Sequence, residues 1–172
     1  GLRNQGKLLA SELAKFADVE IRSICDVDES QFAPTIRAVV TDSGRSVPST
    51  ERDFQRLLDN PAINAIVIAT PDHWHVPICQ AALASGKHVY CEKPLAHSVE
   101  ECHTLIELTK KYPDLATQTG NQGCSTEGFR RSFEVIQSGV LGQITEVHVW
   151  HPAHGWPHGV DRPEKSDPVP EG

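Results

Sequence analysis

The fold class of this chain follows from one stretch, Ala65-Ile66-Val67-Ile68-Ala69-Thr70-Pro71-Asp72-His73-Trp74-His75. Its first five residues are apolar without interruption, and the central three are β-branched. This composition is typical of a strand that is buried on both faces of a sheet. A strand covered on both faces implies helices on both sides of a parallel sheet, and the Thr-Pro turn marks its carboxyl end.

The sequence on either side alternates between helical and strand patterns. We predict helices over 4–16, 29–40, 51–59, 76–85 and 98–111, and strands over 19–25, 46–49, 64–70, 88–91 and 115–119. This alternation implies right-handed crossovers and an α/β fold with a doubly wound parallel sheet. After Gly120 the pattern changes to a helix at 126–138 and a strand at 143–150. We therefore predict one domain over 1–122 and the start of a second α/β domain over 123–172.

Composition and charge argue against several classes of protein. The chain has 172 residues, and its 16 basic and 23 acidic residues give a net charge of −7, which disfavours nucleic acid and acidic membranes as partners. No apolar run approaches the roughly 18 residues that a membrane helix needs. The 5 cysteines are scattered, which favours neither a disulfide framework nor a CxxC metal site.

The sequence contains no methionine and runs from Gly1 directly into a helical pattern. We expect it to be a fragment of a longer protein that lacks the first strand of the sheet. A signal peptide would have been lost with such an N-terminus. A cytoplasmic location is expected, and export through a lost twin-arginine signal stays open.

Gly1 and Gly6 precede the first helix, where glycines allow backbone amides to approach a pyrophosphate. A plain glycine-rich turn is the alternative. Asp26 ends the next predicted strand, 20 residues after Gly6, where an acid binds the ribose hydroxyls of a dinucleotide. Asp28 is the better N-cap for the helix that follows, which leaves Asp26 for the ribose. No arginine follows Asp26 directly to receive a 2′-phosphate, so NAD is favoured over NADP.

Two further motifs lie at the carboxyl ends of predicted strands, where ligands bind in open α/β sheets. Thr70-Pro71 exposes a hydroxyl, and His73 and His75 form a candidate metal pair that lacks a third ligand nearby. Glu92-Lys93-Pro94-Leu95 offers a lysine beside a carboxylate. That lysine is either a proton donor in a cleft or half of a solvated ion pair, and spacing alone leaves both open.

Together the Thr70–His75 and Glu92–Leu95 motifs resemble the glucose–fructose oxidoreductase / inositol dehydrogenase family (Gfo/Idh/MocA). The resemblance continues through Gly120-Asn121-Gln122, Phe129-Arg130-Arg131, Ser138–Ile144 and Pro168–Gly172, and so covers essentially the whole chain. It implies a Rossmann domain followed by an α/β domain with a large open sheet.

The resemblance also implies functional residues. The family's EKP lysine falls on Lys93, near the nicotinamide and the substrate. The expected cofactor-binding residues are Gly1, Leu2, Arg3, Asp26, Thr70, Pro71, His75, Glu92, Lys93 and Asn121. Two features of the family are missing: the first fingerprint glycine, with the strand before it, and an Asp-x-x-x-His motif that would lie beyond residue 172.

The histidine-rich tail (His148, His151, His154, His158) is expected to be a loop, because its prolines and Gly155 do not allow a helix that would align metal ligands. We expect no metal site. His154 and Trp156 are expected to face a sugar, together with Lys93, and Trp156 offers a stacking surface.

The leading hypothesis is hydride transfer between NAD and a hydroxyl-bearing carbon of a sugar, sugar derivative or polyol. An NAD-dependent glycosidase of the same superfamily and a non-catalytic dinucleotide-binding regulator are the alternatives, and the intact Glu92-Lys93-Pro94 triplet favours the first. A homo-oligomer that assembles through the C-terminal sheet is expected.

Overall fold

The computed structural model describes residues 1–40 and 46–150. These residues divide into two compact units, one over Gly1–Asn121 and one that begins at Gln122. In the first unit, helices and strands alternate along the chain. The elements are α1 (Gln5–Leu13), β1 (Ser23–Cys25), α2 (Phe32–Val40), β2 (Ser49–Glu51), α3 (Phe54–Leu58), β3 (Ala65–Ile68), α4 (His75–Ala84), β4 (His88–Glu92), α5 (Val99–Lys111) and β5 (Thr117–Gly120).

All strand pairs of this unit are parallel, as the sequence predicts. Strands β1 and β2 form one sheet, and β3, β4 and β5 form a second sheet in that order. Each connection between paired strands contains a helix, which is the doubly wound α/β arrangement. The fold class derived from residues 65–75 is confirmed.

Local signals place several helix ends. Asp53 accepts a hydrogen bond from the amide of Gln55 at the start of α3, and Ser98 accepts one from the amide of Glu101 at the start of α5. Asp28 accepts from the amide of Ser30, so it has the N-cap role that was expected of it. Gly86 follows α4 with a positive φ of 73°.

The burial of β3 differs from the prediction. Ile66 and Ile68 are buried, but Ala65 is exposed and Val67 is 40% exposed. The strand lies at the edge of its three-stranded sheet, and its two isoleucines pack into the cluster that α4 and β4 share, together with Cys79, Leu83 and Cys91. The uninterrupted apolar run therefore does not mean burial on both faces here.

The second unit contains α6 (Glu127–Gln137), capped by Thr126, which confirms the helix predicted at 126–138. The strand predicted at 143–150 does not form, and all of these residues are exposed. An alternating pattern becomes a strand only when a neighbouring strand supplies hydrogen-bond partners. Strand β2 also begins at Ser49, later than the predicted 46–49.

The histidine and the tryptophan predicted to face a sugar, His154 and Trp156, lie outside the described residues. Within the described ranges, no helix has the length and apolar character needed to span a membrane. No group of three or more His, Cys, Asp or Glu side chains in those ranges is arranged to hold a metal ion.

Candidate functional site

Gly1 lies between the carboxyl ends of the two sheets. Its nitrogen donates a hydrogen bond to the carbonyl oxygen of Cys25 at the end of β1, at 3.2 Å. A Cβ atom on Gly1 would lie only 2.5 Å from the carbonyl oxygen of Ala69, just after β3. The turn that precedes α1 therefore packs against the ends of β1 and β3, and only glycine fits at its first position.

Gly6 allows α1 to approach this turn. A Cβ atom on Gly6 would overlap the carbonyl oxygen of Gly1. The spacing of Gly1 and Gly6, and these close contacts, match the first and third glycines of a G-x-G-x-x-G fingerprint, whose third glycine permits close packing of the helix. The expectation that the first glycine is missing is therefore wrong. The second is the one replaced, since Arg3 stands at its position.

Asp26 joins the end of β1 to this turn. Its Oδ2 accepts a hydrogen bond of 2.6 Å from the amide of Leu2, and its Oδ1 accepts one of 2.9 Å from the amide of Asp28. Each carboxylate oxygen has a second lone pair, so both can also accept from ribose hydroxyls.

Arg3 and Asp28 form an ion pair beside Asp26, with 3.1 Å between the guanidinium and the carboxylate. The hydroxyl of Ser30 and then the guanidinium of Arg3 lower the pKa of Asp28 to about 2. The fold thus brings an arginine next to the predicted ribose site, although none follows Asp26 in the sequence.

Thr70 lies two residues after the end of β3, directly beside Gly1. Its hydroxyl oxygen is buried and has no hydrogen-bond partner among the described residues. A buried hydroxyl without a partner costs about 1–3 kcal/mol relative to a paired one. This hydroxyl, together with the neighbouring Pro71, marks a place where a polar ligand group would be stabilised.

His75, the first residue of α4, is 1% exposed. Its Nδ1 lies 2.6 Å from the carbonyl oxygen of Pro94, and its Nε2 lies 2.9 Å from the carbonyl oxygen of Thr70. The ring therefore connects the Thr70 turn to the Glu92-Lys93-Pro94 segment, whose Lys93–Pro94 peptide bond is cis.

Glu92, at the end of β4, is 5% exposed. Its Oε1 accepts a hydrogen bond of 3.0 Å from the side chain of Gln5, and its Oε2 accepts one of 3.3 Å from the amide of Lys93. A Cβ atom on Gly120 would lie 2.8 Å from Oε1 of Glu92. Burial, and then the charge of Glu92, raise the pKa of Tyr90. Through these contacts, the buried side chain of Glu92 connects α1, β4 and β5 at the carboxyl ends of the strands.

Lys93 is exposed, and its ammonium group forms no ion pair in the described part of the chain. Ile68 pairs with Cys91, and Glu92 pairs with Gly120. When these registers are continued by one or two residues beyond the strands, Thr70, Lys93 and Asn121 are level with one another. Asn121 is exposed as well. Three of the predicted site residues therefore lie at successive strand ends of one sheet edge.

An open groove of about 610 Å³ lies beyond Asp26, at the carboxyl ends of β1 and β2. Arg52 pairs with Glu29 across it at 3.7 Å. The lining residues are Val27, Glu29, Phe32, Thr50, Glu51, Arg52, Asp53 and Arg56. The groove adjoins the predicted ribose carboxylate, but it contains none of the predicted catalytic or cofactor-binding residues.

The described residues fit a bound dinucleotide. The Gly1–Gly6 turn brings backbone amides to a helix N-terminus, which suits a pyrophosphate. Asp26 can accept from ribose hydroxyls, and the buried Thr70 hydroxyl has no partner among the described residues. Gln5 and Gly120 were not among the predicted site residues. Both residues contact Glu92, which is distant in the sequence, and no local sequence pattern predicts these contacts.

Comparisons with known proteins agree with this geometry. Of the curated relatives, a glycosyl hydrolase family 109 protein of Saccharopolyspora erythraea is 30% identical over 149 residues, which are 84% of this chain and 32% of that protein. An inositol 2-dehydrogenase of Pseudomonas fluorescens is 27% identical and covers 77% of this chain and 38% of its own. The chain thus spans about a third of the length of these relatives.

A solved structure of myo-inositol 2-dehydrogenase from Lactobacillus plantarum superposes with a TM-score of 0.74 at 26% identity, covering 84% of this chain and 41% of that one. The family model described as "Oxidoreductase family, NAD-binding Rossmann fold" (GFO_IDH_MocA) matches residues 3–119, which is more than half of the chain. The predicted family, the Rossmann fold and the NAD class of cofactor are thereby confirmed, and the chain belongs to the Gfo/Idh/MocA oxidoreductase family.

Proposed function

We propose that the complete protein transfers a hydride between NAD and a hydroxyl-bearing carbon of a sugar, sugar derivative or polyol. The observation that carries the proposal is the position of Lys93. It is exposed at the carboxyl end of β4, level with Thr70 and Asn121, at the sheet edge where α/β folds bind ligands. The names of the inositol dehydrogenase relatives support a polyhydroxylated substrate.

Different residues would bind different parts of the cofactor. Gly1, Leu2 and Arg3 would hold the pyrophosphate, and Asp26 the adenosine ribose. Thr70, Pro71, Glu92 and Asn121 would surround the nicotinamide end. When bound, NAD supplies the acceptor for the hydride.

Lys93 would transfer the proton of the substrate hydroxyl. As the carbinol carbon gives up its hydride, the substrate hydroxyl gives its proton to the uncharged amine of Lys93, and a carbonyl group forms. In the reverse direction, the ammonium returns the proton to the carbonyl oxygen. The buried carboxylate of Glu92 accepts from the Lys93 amide and so fixes the backbone from which this side chain extends.

The glycosyl hydrolase relatives favour a second candidate function. In an NAD-dependent glycosidase, the same hydride transfer would be transient and would assist elimination of the leaving group. The hydride then returns within each turnover, so no net NADH accumulates. A regulator that binds NAD without catalysis is the third alternative.

One assay on the complete protein separates these functions. NAD is supplied with a panel of inositols, aldoses and aryl glycosides, and NADH absorbance and aglycone release are followed together. NADH that accumulates with a free polyol or sugar supports the proposal. Aglycone release without NADH would replace it by the glycosidase, and NAD binding with neither product would replace it by the regulator.

The homo-oligomer expected from the family resemblance belongs to the same proposal, with assembly through the C-terminal sheet. Analytical ultracentrifugation of the complete protein tests it. A cytoplasmic location is also proposed, and fractionation of cells that express the complete protein distinguishes it from export.

A further inference from the structure

The side chain of His75 is enclosed between two backbone carbonyl groups that belong to different motifs. Its Nδ1 lies 2.6 Å from the Pro94 oxygen and its Nε2 lies 2.9 Å from the Thr70 oxygen, with 1% of the residue exposed. The 2.9 Å distance is typical of an N–H···O hydrogen bond, and the 2.6 Å distance is slightly shorter than usual. A buried ring with two such contacts needs a partner for each nitrogen.

The chemistry of the partners decides what the ring must supply. A carbonyl oxygen only accepts, and a neutral imidazole carries one N–H, so it can donate to only one of the two. The other contact would then bring two acceptors together at hydrogen-bond distance inside the protein, where an unmade hydrogen bond is costly. Both contacts are favourable only when Nδ1 and Nε2 each carry a proton.

We propose that His75 is a positioning residue whose doubly protonated ring ties the Thr70 turn to Pro94 and thereby sets the position of Lys93. Lys93 directly precedes Pro94, so the bond to the Pro94 oxygen fixes the segment that carries the amine. The bond to the Thr70 oxygen fixes the same segment relative to the neighbouring strand end. The catalytic consequence rests on the proposed function of Lys93.

This role differs from a direct contact with the cofactor. Both ring nitrogens are engaged with backbone oxygens, so neither is left to bond to NAD. His75 would act through the two loops that it joins.

A buried cation is costly unless it is hydrogen-bonded and balanced by opposite charge. The two short hydrogen bonds meet the first condition. For the second, the proposal requires the carboxylate of Glu92, which is buried two residues before Pro94 in the same segment, to balance the charge. The titratable side chains on the segments that adjoin His75 are Asp72, His73, Glu92, Lys93 and His97, and β3 contributes none.

The first test reads the protons on the ring directly and does not require activity. A two-bond proton–nitrogen NMR spectrum of the complete protein is recorded at about pH 7, where imidazoles divide between charged and neutral forms. His73, which is exposed two residues away, serves as the reference and is assigned through His73→Gln. We expect both nitrogens of His75 to carry protons. A single neutral tautomer of His75 would overturn the proposal.

The second test reads the position of Lys93. In His75→Gln, both N–H donors lie on one nitrogen and do not reproduce the two separate contacts of the imidazole ring. The segment is therefore less restrained, and acetylation of Lys93 should rise relative to that of Lys110. The turnover of the complete protein should fall about 10- to 100-fold, as expected for a misplaced catalytic group, with little change in NAD affinity. His73→Gln should leave both readouts unchanged.

The outcomes remain separable. Unchanged acetylation and turnover in a folded His75→Gln variant would overturn the positioning role. If the wild type has no dehydrogenase activity, the proposed function fails, while acetylation and NMR still decide the role of His75. If the variant does not fold, the NMR spectrum of the wild type alone decides.

Discussion

The amide of Leu2 donates a 2.6 Å hydrogen bond to Oδ2 of Asp26. This contact joins the turn before α1 to the end of β1, so one carboxylate both shapes the turn and faces the predicted ribose position. Oδ1 of the same group accepts from the amide of Asp28. We therefore expect cofactor preference and the conformation of the turn to be coupled through Asp26.

Asp26→Ser should reduce the discrimination between NAD and NADP. In the wild type we expect NAD to bind at least tenfold more tightly, about 1.4 kcal/mol, because the carboxylate repels a 2′-phosphate. The variant removes this repulsion and leaves Arg3 nearby, so the ratio should approach one. NAD affinity should also fall, because the Leu2 amide loses its acceptor.

Isothermal titration of the complete protein with both dinucleotides measures this ratio. Asp18→Ser, at an exposed position, is the matched control and should leave it unchanged. Equal affinities in the wild type would refute the assignment of Asp26 to the ribose.

Gly6→Ala should destabilise the protein, because the new Cβ atom would overlap the carbonyl oxygen of Gly1. The Cβ atom is fixed by the helix backbone and the oxygen belongs to the backbone of the turn, so α1 must move. Overpacking of this kind costs about 1–3 kcal/mol or more. NAD affinity should fall as well, since α1 carries the turn amides. Denaturant unfolding and NAD titration are the measurements.

Gly128→Ala is the matched control for Gly6→Ala. Gly128 lies in α6, and a Cβ atom there meets nothing within 4 Å. This substitution should be neutral or should stabilise the protein by about 0.5–1 kcal/mol. Equal changes in the free energy of unfolding for the two substitutions would show that the close packing at Gly6 does not contribute to stability.

Lys93→Ala should lower the turnover of the complete protein by roughly 10²–10⁴-fold, the usual contribution of a positioned acid–base group. NAD affinity should change much less, because Lys93 acts on the substrate proton. Steady-state kinetics with the best substrate of the panel, together with NAD titration, measure the two effects.

Lys110→Ala serves as the control, because Lys110 forms an exposed ion pair with Glu107 that contributes only about 0–1 kcal/mol. Near-normal turnover of Lys93→Ala would mean that Lys93 is structural and that another group transfers the proton.

Cys25 should react slowly with a thiol alkylating reagent at about pH 8. Burial at the end of β1 raises its pKa to about 11, from an ordinary value of 9.0, so the thiolate fraction is about a hundredfold smaller than that of an unperturbed cysteine. The exposed Cys102 and Cys124 should be modified first. Peptide mass spectrometry after timed alkylation gives the order, and early modification of Cys25 would contradict its burial.

The same shift makes stability depend on pH at the alkaline end. The folded state holds the thiol proton more tightly than the unfolded chain does. Its stabilising contribution is therefore complete below about pH 9 and is lost as the pH rises toward 11. Cys25→Ser should flatten the decline of the unfolding free energy over this interval.

The sequence by itself determined the order of helices and strands in the first unit. The apolar run at 65–69 indicated β3, and the helical patterns at 76–85 and 98–111 indicated α4 and α5. These signals are local, because a helix cap or a strand pattern depends on residues within a few positions of one another. The Thr70 and Glu92–Pro94 motifs marked the strand ends where we place the candidate site, and the N-cap role predicted for Asp28 is confirmed.

The tertiary structure decided what those residues contact. Gln5 reaches Glu92 across 87 positions, Arg3 reaches Asp28, and His75 joins the Thr70 turn to Pro94. The exposure of Val67 and the missing strand at 143–150 also depend on which neighbours cover or pair with a segment. Contacts of this kind arise only when the register of parallel strands brings distant residues to one sheet edge, and a local pattern does not encode that register.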